Sequence, residues 1–163
     1  MISDKMSALL NEQMNREFFN SKLYLSMATY FYSINLDGFA RWMEQQAIEE
    51  TGHAMRLYKH IQERGARILV GAVTAPPTEW KSPLAAFEDA YKHECKVSKE
   101  FDELVAKAQA AKDNATLNFL QWFVAEQVEE EASVDAIVQK LKMAGNSVGA
   151  LMILDQKLGI RGK

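Results

Sequence analysis

Proline stands at only three of 163 positions, 76, 77 and 83. A proline inside a helix removes a backbone donor and breaks the helix. The long proline-free stretches on either side are therefore free to be helical, and both are rich in Ala, Leu, Met, Glu, Lys and Gln, which favour helix. Turn signals divide them further. Asn35-Leu36-Asp37-Gly38 reads as a short turn, with Asn35 suited to the end of one helix and Asp37 to the N-cap of the next. Gly65 and Gly145 read as residues just past a helix end, and Asp113-Asn114 as a turn and cap. Ser82-Pro83 reads as an N-cap followed by proline at the first helical position. The punctuation predicts four long helices, over about 4–33, 38–64, 83–111 and 115–144, and a short fifth over 147–158. The expected fold class is all-α, a four-helix bundle in one domain spanning 1–163.

Connection lengths set the topology. Short turns make neighbouring helices antiparallel. Residues 66–82 are too many for an ordinary inter-helix link. At roughly 3.3 Å per extended residue they can travel the length of a helix of about 25 residues. They are expected to form one long crossover that leaves the third helix parallel to the second, with Ile68, Leu69 and Val70 packing on the bundle or on a second subunit. The fifth helix is too short to be stable alone in water. The four-helix core is complete without it, so its apolar residues, Val148, Leu151, Met152, Leu154 and Leu158, are expected at an intersubunit contact.

Composition excludes several classes of function. The net charge is −3 and there is no basic block, which argues against a nucleic-acid partner. Cys95 is the one cysteine, so an intramolecular disulfide and a Cys-x-x-Cys site are both impossible; it reads as a small half-buried side chain. The first residues, Met1-Ile2-Ser3-Asp4-Lys5, lack the charged and apolar regions of a secretory signal. No apolar run approaches the ~20 residues of a membrane span. A cytoplasmic setting, with no membrane partner, is expected.

Each long helix has an apolar seam, and each seam is broken. On the first, Leu10, Met14, Glu17, Ser21, Tyr24, Ala28 and Phe31 share a face, with Glu17 as the interruption. On the second, Met43, Ala47, Glu50, His53, Ala54, Leu57 and Ile61 do so, and Glu50 and His53 lie one turn apart. Gly52 beside them reads either as close helix packing or as room for a ligand next to His53. On the third, Glu94 interrupts Phe87, Ala90, Val97, Phe101, Leu104 and Ala108, while His93 falls off the seam and reads as a surface residue. On the fourth, Gln127 and Glu130 interrupt Leu120, Phe123, Val134, Ile137 and Leu141. At 1.5 Å per residue these breaks fall near mid-bundle.

Burying such groups without partners costs several kcal/mol, and four carboxylates in one core cannot all ionise unpaired. A metal pair satisfies them. Oxygen ligands with one imidazole suit iron or manganese better than a soft metal. Symmetric di-iron bundles repeat Glu-x-x-His on two helices; here the second copy is Gln127-x-x-Glu130. One position keeps an imidazole and the other has carboxylates only. The set therefore reads as one tighter and one looser site, suited to an ion that enters, is oxidised and leaves.

Glu17, the Glu49-Glu50-x-x-His53 stretch, Tyr91-Lys92-His93-Glu94, and Asn118-Phe119-Leu120-Gln121-Trp122 leading to Glu126-Gln127-x-Glu129-Glu130 resemble the bacterial non-haem ferritins. The likeness runs along nearly the whole chain, fifth helix included. It implies a ferritin-like bundle and a ferroxidase centre. Glu17, Glu50 and His53 would hold the first iron, with Glu50 bridging. Glu50, Glu94 and Glu130 would hold the second, with Gln127 close by as a hydrogen-bonding or weak ligand. Glu49, Glu126 and Glu129, with Glu130, would form a third, inner iron site. Tyr24 matches the family's tyrosine beside the centre; it reads equally as an electron donor and as a hydrogen-bonded core tyrosine. Trp122 reads as core packing. The resemblance also implies a hollow homo-oligomeric cage of about two dozen chains, a 24-mer. It implies Fe(II) and dioxygen or peroxide as substrates, and Fe(III) stored inside as an oxyhydroxide mineral.

Bacterioferritin resembles the chain in fold. Its second half-site is Glu-x-x-His, however, and its haem-ligating Met follows the bridging Glu, where this chain has Thr51. No haem is expected. A DNA-protecting miniferritin places its metal between subunits and often adds a basic tail, neither of which is visible. Rubrerythrin needs Cys-x-x-Cys pairs. A shell subunit with a dead centre conflicts with the intact ligand set. A di-iron oxidase of organic substrates needs a substrate pocket and usually a longer chain.

Overall fold

A computed structural model describes residues 1–160. Five helices follow in order: α1 (Asp4–Ser33), α2 (Asp37–Glu63), α3 (Pro83–Ala110), α4 (Asn114–Ala144) and α5 (Val148–Leu158). There is no strand among the described residues. The starts of α1, α3, α4 and α5 are capped by side chains: Ser3, Ser82, Asp113 and Ser147 each accept a backbone N–H of the first turn. The start of α2 is different. Leu36 stands at its N-cap and makes no side-chain cap, so the expectation for Asp37 fails. Asp155 of α5 does the work instead, its Oδ1 accepting the Phe39 N–H at 3.0 Å.

The ring contacts fix the directions. Phe31 near the end of α1 stacks on Phe39 near the start of α2, so these two helices are antiparallel. Trp42 of α2 meets Phe87 early in α3, and farther along both helices Leu57 and Ile61 share a cluster with Phe101 and Leu104. α2 and α3 are therefore parallel, as a crossover requires. Phe101 stacks on Phe123 while Lys142 reaches Glu88, which makes α4 antiparallel to α3.

Residues 66–80, without regular structure, form the crossover. It is held against α1 by that helix's own polar side chains. Asn11 takes the Arg67 carbonyl and the Leu69 N–H, Asn15 takes the Leu69 carbonyl and the Gly71 N–H, and the Ser26 hydroxyl donates to the Pro77 carbonyl. Backbone that finds no partner in its own segment is thus satisfied by amides one helical turn apart. Ile68 packs on the bundle, whereas Leu69 and Val70 face outward.

The fifth helix does not wait for a second subunit. Leu154, with Leu151 and Leu158 beside it, packs on the apolar end of its own bundle. Val148, Met152 and Ile153 stay exposed. The approach is so close that a Cβ on Gly38 would lie 1.7 Å from the Asp155 carbonyl oxygen, so Gly38 is required where α5 crosses α2.

The core is in two pieces. One apolar cluster surrounds Phe31, Phe39, Phe87 and Met27; the other surrounds Leu10, Met14, Phe101 and Phe123. Between them, in sequence position on every long helix, lies a buried polar layer.

Candidate metal centre

The layer is built by one to three turns from each helix. α1 supplies Gln13, Glu17, Asn20, Ser21 and Tyr24; α2 supplies Gln46, Glu50 and His53; α3 supplies Glu94; α4 supplies Gln127 and Glu130. All are buried, Glu17 and Glu94 completely. Helical spacing makes this possible, since residues three and four apart share a face.

Glu17, Glu50 and His53 come together, each offering a ligand atom within 4.8 Å of the others. His53 Nδ1 lies 3.4 Å from Glu50 Oε2 but makes no hydrogen bond, leaving a buried imidazole nitrogen unsatisfied. Nε2 of the same ring faces the other way, 3.9 Å from Glu126 Oε1. His53, Glu126 and Glu130 form a second convergent group. One imidazole thus touches both sides of the layer. Its ring is fixed by edge contacts to Trp122 and Phe123, and Arg56 lies over the Trp122 face at 4.0 Å.

Glu94 is held from two sides. The Tyr24 hydroxyl donates to Glu94 Oε1, and Gln127 Nε2 donates to Glu94 Oε2 at 3.1 Å. Gln127 therefore acts here as a donor to a carboxylate. Glu130 Oε2 accepts from Gln46 Nε2 at 2.7 Å, while Gln46 Oε1 is a second buried atom without a partner.

Glu49 and Glu129 lie outside the buried layer, with exposed side chains, and Glu126 is partly exposed, 3.9 Å from His53 Nε2. The negative charge of Glu49 is felt at Glu130.

Electrostatics make the layer proton-rich when it holds no cation. Burial raises the carboxyl groups of Glu17 and Glu50 well above the usual range, and neighbouring carboxylates push them further. Burial also raises Glu94, although the Tyr24 and Gln127 donors oppose it. Glu130 is pushed up to about 7, by burial first and by Glu94 second. Tyr24 is raised well above 10, again by burial and then by Glu94, so its phenol keeps the proton it donates.

Several participants were not marked by the seams. Gln13 donates to Glu17 Oε1 at 2.7 Å, Asn20 to Glu17 Oε2 at 2.8 Å, and Gln46 to Glu130. Gln13 lies four residues before Glu17 and Asn20 three after it, each on the same helix face as the carboxylate it holds, whereas Gln46 reaches from α2 to Glu130 on α4. His93 corrects the surface reading. Its Nε2 is 2.7 Å from Asn20 Oδ1, and burial, with the Lys96 charge, lowers its pKa to about 4. Gly52 is exposed, and a Cβ there meets nothing within 4 Å, so close helix packing does not explain it.

Comparison with known proteins shows the family and the fold. The family model described as a ferritin-like domain matches residues 7–144. The chain belongs to the ferritin family. It is 45% identical over 161 residues to the bacterial non-heme ferritin of Bacteroides fragilis, covering 99% of this chain and all of the relative. It is 38% identical over 161 residues to the bacterial non-heme ferritin of Staphylococcus aureus, covering 99% of this chain and 97% of that one. Among solved structures it resembles the open pore ferritin of the hyperthermophilic archaeon Archaeoglobus fulgidus, with a TM-score of 0.98, 53% identity and 99% of each chain covered. The family binds iron, and the carboxylate and imidazole donors of the layer are of the kind that hold it.

Proposed function

We propose that this ferritin stores and detoxifies iron, oxidising Fe(II) at the buried layer and keeping Fe(III) as an oxyhydroxide mineral inside a homo-oligomeric 24-mer cage in the cytoplasm. The observation that carries this reading is the bare Nδ1 of His53 facing Glu17 and Glu50 in the middle of an apolar core. A nitrogen lone pair and two carboxylates buried together are costly without a cation and well matched to Fe(II).

In this reading Glu17, Glu50 and His53 take the first Fe(II), and Glu50, Glu94 and Glu130 the second. Gln127 orients Glu94 rather than competing for the ion, consistent with its hydrogen bond. Two Fe(II) ions give one electron each, which matches the two electrons that reduce dioxygen to peroxide; peroxide as oxidant takes two electrons to water. Protons held by the empty carboxyls leave as the ions bind. Glu126, 3.9 Å from His53 Nε2, would start the inner third site together with Glu49, Glu129 and Glu130, through which oxidised iron passes on. Tyr24, a protonated phenol donating to Glu94, is placed to supply a further electron. No haem enters this reading: the Thr51 hydroxyl sits 3.0 Å from Ser21 Oγ and donates to the Ala47 carbonyl, and it offers no sulfur.

The large-assembly and storage parts are tested together by gel filtration with iron analysis after aerobic Fe(II) addition. The expected result is a very large species carrying iron far in excess of two ions per chain. A small oligomer, or iron that stops at the site stoichiometry, would contradict storage and favour a di-iron oxidase.

A further inference from the structure

A chain of hydrogen bonds leads from the polar layer through Asn20 to His93 on α3, and no ligand role accounts for it. Asn20 is 2% exposed and sits on α1 between the two carboxylates of the first site. Its Nδ2 donates to Glu17 Oε2 at 2.8 Å and lies 3.4 Å from Glu50 Oε2. That works only while the amide nitrogen faces the carboxylates. Turned over, the amide would set its oxygen against two acceptors. The Asn20 oxygen is met by His93 Nε2 at 2.7 Å. Since an amide oxygen only accepts, Nε2 must carry the hydrogen and donate. His93 is thereby the group that tells the Asn20 amide which way to point. The imidazole is itself held, with Phe19 beside it and a surface groove of Leu23, Pro77, Lys92 and Lys96 around it.

We propose that His93 is a positioning residue: acting through Asn20, it holds Glu17 and Glu50 in the arrangement that receives the first Fe(II). The proposal rests on the ferroxidase reading of the layer and adds to it a chain of two side chains, His93 and Asn20, that touches neither iron nor oxidant. Outer partners that orient ligands typically contribute ~10–100-fold to metal affinity. The effect belongs to the first site, because the carboxylates Asn20 contacts are Glu17 and the bridging Glu50.

The test uses the assembled full-length protein, stripped of metal, and Co(II) as an anaerobic spectroscopic probe. Co(II) affinity and visible absorption are measured for the native chain, His93→Leu, His93→Gln, Asn20→Leu and the double His93→Leu/Asn20→Leu variant. The dependence of initial Fe(II) oxidation rate on Fe(II) concentration is measured alongside. His93→Leu is expected to weaken first-ion binding by about tenfold or more and to raise KM for Fe(II) more than it lowers kcat. His93→Gln, which restores an N–H donor, is expected to recover most of that loss. Asn20→Leu is expected to lose as much as His93→Leu, and the double variant no more than Asn20→Leu, since the two act in series. The proposal is overturned if His93→Leu binds Co(II) with native affinity and spectrum, if Gln rescues no better than Leu, or if the two losses add. Should His93→Leu fail to assemble, Asn20→Leu decides: native Co(II) binding by that variant overturns the proposal. Failure of the underlying reading looks different, because then the native chain itself shows no saturable Co(II) binding and no fast oxidation.

Discussion

Glu130 is a carboxyl group that titrates near neutral pH. Its pKa is raised from 4.5 to about 7 in the folded chain. Between those values the folded protein holds a proton that the unfolded chain releases. The metal-free protein therefore loses stability as pH rises through that window, and Glu17, Glu50 and Glu94 act in the same direction. Thermal unfolding of stripped protein between pH 5 and 8 is expected to show a falling midpoint, and Glu130→Gln is expected to flatten it. A rise with pH in the stripped native chain would contradict the assigned protonation. Cation binding runs the opposite way, since each carboxyl must lose its proton first, so loading strengthens as pH rises. The buried groups of the layer, Glu17, Glu50, His53, Glu94, Gln127 and Glu130, were readable in the sequence because each breaks an apolar stripe. The amides that hold them were not: Gln13, Asn20 and Gln46 are ordinary polar residues until a carboxylate is placed one turn away. His93 was misjudged because it lies about 100° around the helix from the Glu94 seam, half-buried, where only tertiary contact with α1 reveals its hydrogen bond to Asn20.

Two glycines show how differently an element can use the same residue. Gly52 is exposed inside α2 with open space where a Cβ would go. Gly52→Ala is expected to stabilise the protein by roughly 0.5–1 kcal/mol, read as a higher unfolding midpoint. A loss of stability would mean that the position is occupied by something the single chain does not show. Gly38 is the reverse case. A Cβ there runs into the Asp155 backbone, so Gly38→Ala is expected to cost about 1–3 kcal/mol and to expose 148–158 to limited proteolysis. A variant with native protease resistance and an unchanged unfolding midpoint would contradict the docking described for α5. The number and order of helices were legible from proline, glycine and cap residues, and the crossover from its length alone. Its route was not, because Asn11, Asn15 and Ser26 decide it, and nothing in their spacing names the segment they hold. The place of α5 was missed for a similar reason: its cap on α2 depends on a carboxylate that is 116 residues away along the chain.

As a whole the molecule is two apolar cores with a floor of buried ionisable groups between them, a poor arrangement for stability taken alone. Burial of carboxylates and an imidazole disfavours folding unless a cation or protons neutralise them. That trade makes sense if the floor is where the molecule works, and it locates the central claim in the residues that would gain most from a cation, Glu50 and His53. The decisive measurement is aerobic Fe(II) oxidation followed by absorbance, comparing the native chain with Glu50→Ala/His53→Ala. The expected result is a fast phase in the native protein that saturates near two ions per chain, absent from the variant while its assembly persists. Equal, slow oxidation by both would show that the buried layer does not catalyse the reaction, and the chain would then be a passive shell or a carrier of another metal.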